Sequence, residues 1–163
     1  MPSKYQAATA AAAAALTAAI AIPTVTGAQT GGRDVTVREK VRAAQFVHAK
    51  DSTKGERLAR GDRVITSQAM FDGDNRPLGT LYTDCVNAGR AARVFNATLQ
   101  CTSTYRFSDG QVVSAGVVKL GSGPRGGFPI VGGSDAYKSA RGQITPGAPA
   151  KGYDGVDVLH LDG

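Results

Sequence analysis

A glutamate in the middle of an apolar strand face is the first residue whose position suggests chemistry. In the run from Asp34 to His48, apolar and charged side chains alternate, so Val35, Val37, Glu39 and Val41 share one face of an expected strand. A carboxyl group on a buried face is unfavourable unless it is hydrogen-bonded or neutral, and its pKa should be raised. Such groups are candidate acids or bases. Two alternatives stay open: Glu39 serves structure alone, bonded to a backbone N–H or an arginine, or a bulge shifts the parity.

The strand with the clearest alternation supplies a second candidate, Tyr105. One face of this expected strand carries Phe95, Ala97, Leu99, Cys101, Ser103, Tyr105 and Phe107. Tyr105 either presents its phenol to a bound molecule or is a core tyrosine whose hydroxyl is hydrogen-bonded. The apolar neighbours of these two polar residues are candidates for contacting a ligand: Val37, Val41, Leu99 and Phe107.

The elements that must position these residues are short strands. No window shows sustained helical spacing of apolar residues, whereas β-branched or alternating runs recur between Gly-, Asp-, Asn- and Pro-rich turns. The expected strands are Asp34–His48, Asp62–Phe71, Gly79–Asn87, Arg93–Phe107, Gln111–Leu120, Phe128–Val131, Arg141–Thr145 and Val156–Leu161. Without helices to cover a sheet, the strands must form a sandwich or close into a barrel, and closure removes exposed edges. We therefore predict one all-β domain, an eight-stranded antiparallel barrel. An exposed loop from Lys50 to Gly61 is expected to connect its first two strands.

The N-terminal segment reads as a targeting signal. Lys4 precedes an uncharged run from Ala7 to Ile22, and Ala28 ends a stretch of small residues suited to cleavage. We expect a signal peptide over residues 1–28, secretion, and a mature domain over 29–163. The alternatives are an alanine-rich helix within the fold and a retained membrane anchor, but the run is shorter than the ~20 residues a span needs.

The two cysteines of the chain, Cys85 and Cys101, lie in consecutive expected strands. In an oxidising compartment they should form a disulfide. A simple hairpin centred near Arg90 would place Cys85 opposite Phe95, so the bond requires a longer loop, a bulge or a pair of non-opposed positions.

Other features exclude several function classes. The sequence has no CxxC, HExxH, GxSxG or phosphate-binding loop, and His48 and His160 have no neighbouring metal ligands, so we expect neither a metal nor another cofactor. The 163-residue chain has a formal net charge of +6, with many of its cations between Arg33 and Arg63. This basic stretch is either a soluble face or a footprint for an anionic surface. It lacks the interleaved aromatics of a single-strand binder, and we expect no nucleic-acid partner.

A glycine-rich segment carries a family resemblance. Residues 128–144 read FPIVGGSDAYKSARGQI. This order resembles the pattern of plant allene oxide cyclases, plant dirigent proteins and their small secreted bacterial relatives. In those proteins a hydrophobic strand leads to Gly-Gly-Ser/Thr-Gly, then to an aromatic residue and Ala-Arg-Gly or Ala-Tyr-Gly. Asp135 stands where the pattern has its last Gly. The resemblance implies that the motif is structural, and its residues here are Gly132, Gly133, Tyr137, Arg141 and Gly142.

The resemblance also implies a fold and a kind of function. Family members are eight-stranded barrels with a hydrophobic lumen, commonly homodimers or homotrimers, that hold a hydrophobic small molecule and direct its ring closure or coupling without a cofactor. In allene oxide cyclases a first-strand glutamate faces the cavity, and Glu39 falls at a comparable place. The Asn that follows two residues later in that family is Val41 here, which puts the allene oxide reaction itself in doubt.

Two functions are therefore compatible with the sequence. The first is a secreted cofactor-independent cyclase or isomerase, with Glu39 as the polar steering group and Tyr105 as a second catalytic group. The other is a non-catalytic secreted barrel that carries an apolar ligand or binds a partner.

Overall fold

The chain forms a closed ring of eight antiparallel strands. A computed structural model describes residues 32–49, 57–120, 127–148 and 150–162, with only the backbone described at residue 95. The strands are β1 (Arg33–Val47), β2 (Arg57–Leu58), β3 (Arg63–Phe71), β4 (Pro77–Asn87), β5 (Ala92–Arg93), β6 (Thr98–Phe107), β7 (Gly110–Lys119), β8 (Phe128–Asp135), β9 (Arg141–Pro146) and β10 (Gly155–Asp162). The ring runs β1-β10-β9-β8-β7-β6-β4-β3, while β2 and β5 pair with each other outside it. The expected barrel is confirmed; the expected signal peptide lies outside the described residues.

The first strand joins the two ends of the ring. β1 pairs with β10 through its first half and with β3 through its second, and Arg38 and Glu39 belong to both ladders. Glu39 is therefore held on one side by Gly155 and on the other by Met70. A residue with neighbours on both sides has little freedom to change its direction, so β1 fixes Glu39 toward the barrel interior.

The expected parity of β1 ends at a bulge. The register between β1 and β3 shifts between Val41 and Ala43, and the Val41 side chain is 45% exposed. A bulge inserts one residue and re-aims the side chains beside it. Val41 pairs with Gln68 before this shift, just as Glu39 pairs with Met70, so Val41 still shares the face of Val37 and Glu39 and the pattern ends beyond it.

The connection between β4 and β6 differs from the expected strand. Residues from Val94 to Asn96 form a 3-10 turn, and β6 begins at Thr98 rather than Arg93. Ala92 and Arg93 pair instead with β2. The expected exposed loop over residues 50–61 is also wrong in part, because Leu58 is fully buried; residues 50–56 lie outside the described chain.

The longer β4–β6 connection explains the disulfide. Cys85 and Cys101 are directly opposed partners of the β4–β6 ladder and are bonded. A tight hairpin near Arg90 would have offset them, but the irregular connection adds the residues that bring them into register. Of the three solutions open at the sequence level, the longer loop is the one found.

Asp135 takes over a glycine's role at the end of β8. Its φ is 53°, in the left-handed region, and its carboxylate accepts a hydrogen bond from the Ser134 hydroxyl at 2.8 Å. Asp tolerates this conformation better than most residues with a side chain. The turn therefore forms with Asp135 at the position where the family motif has glycine. β8 itself reaches Asp135, four residues beyond the expected Val131.

Candidate functional site

The barrel interior has an apolar cluster toward each end. The first, the Tyr105 cluster, contains Val37, Met70, Leu81, Tyr105, Val112, Ile130, Tyr137, Ala140, Ile144, Leu159 and Leu161. The second, the disulfide cluster, contains Leu58, Cys85, Ala97, Leu99 and Cys101. Along β4, for example, Leu81 belongs to the first cluster and Cys85 to the second, with Thr83 between them on the same inward face.

Polar side chains occupy the interior between the clusters. We call them the polar belt: Glu39, Thr66, Gln68, Thr83, Ser103, Ser114 and Asp157. Thr83 and Ser103 share a hydrogen bond of 3.1 Å across β4 and β6. Several belt residues, among them Thr66, Gln68 and Asp157, keep partial exposure although they face inward. Side chains packed against one another would be covered, so the barrel retains accessible space at the belt.

Glu39 is the most enclosed carboxyl group of the belt. Its side chain is 6% exposed, and its partner on β10 is a glycine. A Cβ atom at Gly155 would lie 2.9 Å from Oε2 of Glu39. The missing side chain of Gly155 therefore makes the space that the carboxyl group occupies.

The surroundings of Glu39 favour its protonated form. Gln68 Nε2 donates to Oε2 at 3.3 Å, whereas Oε1 is buried without a hydrogen-bond donor among the described residues. The carboxyl group of Asp157 lies within hydrogen-bonding reach. An acid O–H on Glu39 that donates to Asp157 satisfies both observations. Burial, followed by the charge of Asp157 and this hydrogen bond, raises the pKa of Glu39 to about 9.

Tyr105 reaches Asp157 across the barrel. It lies on β6, on the far side of the ring from β10, and its hydroxyl donates a short hydrogen bond to Asp157 Oδ2. Tyr105 is 3% exposed. Burial raises the pKa of its phenol, and the charges of Asp157 and Glu39 add to that shift. The phenol thus remains a hydrogen-bond donor at any ordinary pH and cannot act as a base.

These three residues form one chain of hydrogen bonds, from the Glu39 acid and the Tyr105 phenol to the Asp157 carboxylate between them. We place the proton on Glu39 because it is the more enclosed carboxyl group and because Asp157 already accepts from Tyr105. The charge of Asp157 therefore disfavours ionisation of Glu39. The arrangement can donate a hydrogen bond or a proton to an oxygen atom of a bound molecule and can stabilise developing positive charge.

The residues expected to contact a ligand are dispersed. Val37 is buried next to Glu39, and Leu99 is buried in the disulfide cluster. Phe107 packs at the end of the barrel against Tyr137, with ring centroids 5.2 Å apart. Val41 lies just before the bulge, opposite Gln68 on the face of Glu39, and its side chain is 45% exposed. Of the four, Val37 and Val41 flank Glu39 on its own strand face.

The glycine motif lies at the barrel rim. A Cβ at Gly133 would come within 2.4 Å of the Tyr137 carbonyl oxygen, and one at Gly142 within 1.9 Å of the His160 carbonyl oxygen. Gly142 has φ +118°. Tyr137 is buried, whereas Arg141 is exposed and donates to the Ala140 carbonyl oxygen at 2.8 Å. These contacts tie strands together and do not involve the polar belt.

Sequence reasoning missed Asp157 and Gln68. Asp157 shares an inward face with Leu159 and Leu161, so strand parity held a signal. The opposite face of the same strand is also aliphatic at Val156 and Val158, which made the direction ambiguous. Gln68 carries no charge and gave no comparable signal.

A second polar constellation lies on the outer surface. His160 Nδ1 is 2.7 Å from Asp34 Oδ1, and His160 Nε2 is 2.8 Å from Thr145 Oγ1. The order hydroxyl, imidazole, carboxylate is that of a hydrolase triad. Asp34 is 65% exposed in its side chain, on a sheet face open to water. We interpret these contacts as cross-strand pairing that adds modestly to the stability of the sheet.

Comparison with known proteins places the barrel in a family. The family described as "Allene oxide cyclase barrel like domain" matches residues 43–156, which is more than half of the chain. The chain belongs to this family. No curated protein sequence matches this allene oxide cyclase-like barrel. Its described residues contain no helix long and apolar enough to cross a membrane.

Solved structures with the same fold are distant in sequence. A pyocyanin demethylase superposes with a TM-score of 0.63 at 20% identity, covering 79% of this chain and 99% of the other. AbnU, described as an exo-specific intermolecular Diels-Alderase, gives 0.58 at 13% identity, covering 82% and 99%. A pterocarpan synthase dirigent protein gives 0.55 at 17% identity, covering 80% and 91%. These three solved structures therefore share the fold of this allene oxide cyclase-like barrel.

Proposed function

We propose that the protein is a cofactor-independent cyclase that folds an apolar small molecule inside its barrel and directs ring closure. The observation that carries this proposal is the buried, proton-bearing Glu39 in a polar belt between two apolar clusters. Burying a carboxyl group lowers stability. Carboxyl groups with a raised pKa in such positions cluster at functional sites.

The belt and the clusters have separate tasks in this reaction. Aliphatic and aromatic side chains bury the carbon chain of the substrate and favour a folded conformer in which the reacting carbons are close. Glu39 donates a hydrogen bond to a carbonyl oxygen of the substrate, which makes the conjugated double bond electron-poor and more reactive. Asp157 supports Glu39 as its hydrogen-bond partner in the free protein.

The reaction is an isomerisation, so its balance is internal. In a ring closure between a diene and an activated alkene, two new C–C σ bonds form from two π bonds of the substrate itself. No electron leaves or enters, and the proton on Glu39 is shared with the substrate oxygen and retained afterwards. The named activity of one structural neighbour, a Diels-Alderase, lends support, since that name denotes a ring-forming cycloaddition, and a pterocarpan synthase dirigent protein has the same fold.

We further propose that the protein is exported, with cleavage after Ala28. The Cys85–Cys101 bond supports this, because stable disulfides are found mainly outside the cytosol. A homodimer or homotrimer is the oligomeric state that we propose from the family resemblance.

The test uses linear trienones, each a diene tethered to an α,β-unsaturated ketone, in a panel of chain lengths and end groups. We expect the wild-type protein to accelerate ring closure and to enrich one stereoisomer, measured by chiral chromatography. Glu39→Leu removes the donor and should abolish the acceleration. Glu39→Gln keeps a weaker donor and should retain a small part of it, on the order of a hundredth or less. Asp34→Asn on the outer face is the matched control and should react as wild type does.

The alternative, a carrier, gives a different result. A carrier binds trienones in the lumen of the wild-type protein, retains that binding in Glu39→Leu, and changes neither the rate nor the stereoisomer ratio. Equal rates for wild type and Glu39→Leu across the panel would overturn the proposed cyclase.

A further inference from the structure

Asp157 is a carboxyl group inside the barrel that pairs with no lysine, arginine or histidine of the described residues. Its carboxylate accepts from Tyr105 and lies next to the Glu39 acid, and both of these partners are neutral when they donate. None of the ion pairs among the described residues includes Asp157. Hydrogen bonds alone compensate a half-buried charge incompletely.

The rest of the chain concentrates positive charge on the outside. Every lysine and arginine in the described ranges is exposed except Arg38, which is half buried. Arg38 alternates with the inward residues of β1 and points outward, where it donates to Asn75 Oδ1 at 3.3 Å and lies 5.7 Å from the centroid of the Tyr153 ring. A protein of net charge +6 thus has a lumen whose described charged groups are acidic.

We propose that the lumen selects organic cations, with Asp157 as the counter-ion of the bound molecule. This inference rests on the proposed function, because it names the charge class of the molecule that the same lumen takes. A cationic group on an apolar body supplies the partner that Asp157 lacks. An anionic ligand would add a second negative charge close to Asp157 in a weakly screened interior and is excluded.

The selection extends to the chemistry. The substrate oxygen accepts from Glu39, and the positive group lies at Asp157, so the two carboxyl groups recognise opposite ends of one polar unit. A substrate with a cationic nitrogen conjugated to its reacting double bonds fits this arrangement. Such a nitrogen withdraws electrons from the double bonds. Asp157 binds the nitrogen as an ion pair and does not remove its positive charge.

The test uses three fluorescent tricyclic probes of nearly equal size: N-methylacridinium, acridine and acridine carboxylate, which are cationic, neutral and anionic at neutral pH. We expect wild type to bind N-methylacridinium at least about tenfold more tightly than acridine, and acridine carboxylate about tenfold more weakly, as a single close charge in a partly screened site predicts. Asp157→Asn should bring the three affinities to within about threefold of one another. Asp34→Asn changes the net charge equally from the outer surface and should leave the selectivity as in wild type.

Two further variants locate the effect. Asp157→Glu keeps the charge and should retain the preference for the cation. Ser103→Leu places a larger side chain in the polar belt. It should weaken the binding of all three probes to a similar extent if they bind in the lumen.

The outcomes separate this inference from the proposed function. If wild type binds the three probes equally and Ser103→Leu weakens the binding of all three, cation selection is overturned and lumen binding stands. Binding that Ser103→Leu does not change would refute lumen binding of these probes and with it both proposals. A preference for the cation that Asp34→Asn abolishes and Asp157→Asn does not would assign it to the outer surface and overturn the role of Asp157.

Discussion

Replacing Glu39 with glutamine should change how the stability of the protein depends on pH. The folded state raises the pKa of this carboxyl group from 4.5 to about 9, with burial as the main cause. The unfolded chain releases the proton above about pH 4.5, while the folded protein retains it until the pH approaches 9. Between these values the unfolded state binds fewer protons, so stability falls as the pH rises. The glutamine side chain of Glu39→Gln does not titrate, so the variant does not lose stability in this way as the pH rises.

The expected size follows from the width of the window. Each pH unit inside it lowers the free energy of unfolding of wild type by at most ~1.4 kcal/mol relative to the glutamine variant. From about pH 5 to about pH 8 the difference reaches at most ~4 kcal/mol. Gln68, which donates to the Glu39 carboxyl group, and the nearby Tyr105 phenol are neutral throughout the interval.

Urea unfolding of both proteins at several pH values measures the difference directly. The expected result is that Glu39→Gln gains on wild type steadily from about pH 5 to about pH 8, whereas a control change at the exposed Asp162, Asp162→Asn, follows wild type. The infrared spectrum should also show the C=O band of a neutral carboxylic acid in folded wild type and its loss in the variant. Parallel stability curves for wild type and Glu39→Gln would refute the argument, because they would mean that Glu39 is ionised in the fold.

Three further changes test other parts of the structure. Gly155→Ala places a methyl group against the Glu39 carboxyl and should slow ring closure on the order of tenfold or more with little change in substrate affinity; an unchanged rate would mean that the carboxyl group moves without consequence. The double change Cys85→Ala and Cys101→Ala opens a bond that closes a separation of 16 residues and should lower the free energy of unfolding by ~3 kcal/mol, measured by urea denaturation. Asp62→Asn should lower it by roughly 1–3 kcal/mol, because this buried carboxylate accepts hydrogen bonds from two backbone N–H groups and pairs with a histidine; full retention of the melting temperature would contradict that role.

Local patterns were enough to find Glu39 and the barrel. Alternation over Val35, Val37 and Glu39 is a property of a single strand, and it held because those residues pair on β1 without a shift. Turn residues likewise marked most strand ends within a few positions. The bulge between Val41 and Ala43 ended the pattern, and no feature of the sequence there distinguishes a bulge from a regular strand.

Contacts across the barrel could not be found in this way. Tyr105 and Asp157 are 52 residues apart and meet only because the ring closes with a particular stagger between strands. The pairing of Cys85 with Cys101 similarly depended on the length of an irregular connection. The first contact is set by closure of the whole sheet and the second by the length of one connection, and the alternation within a single strand predicts neither.

The position of the disulfide suggests how the barrel tolerates its acid pair. Cys85 and Cys101 are directly opposed, and the next inward pair on the same two strands is Thr83 and Ser103 of the polar belt. Polar side chains in a lumen contribute less to stability than apolar packing would, and an enclosed carboxyl pair lowers it further. A covalent link of ~3 kcal/mol beside the belt offsets a loss of similar size. Loss of the disulfide should therefore be tolerated better in Glu39→Gln than in wild type, since the variant no longer carries the destabilising carboxyl group.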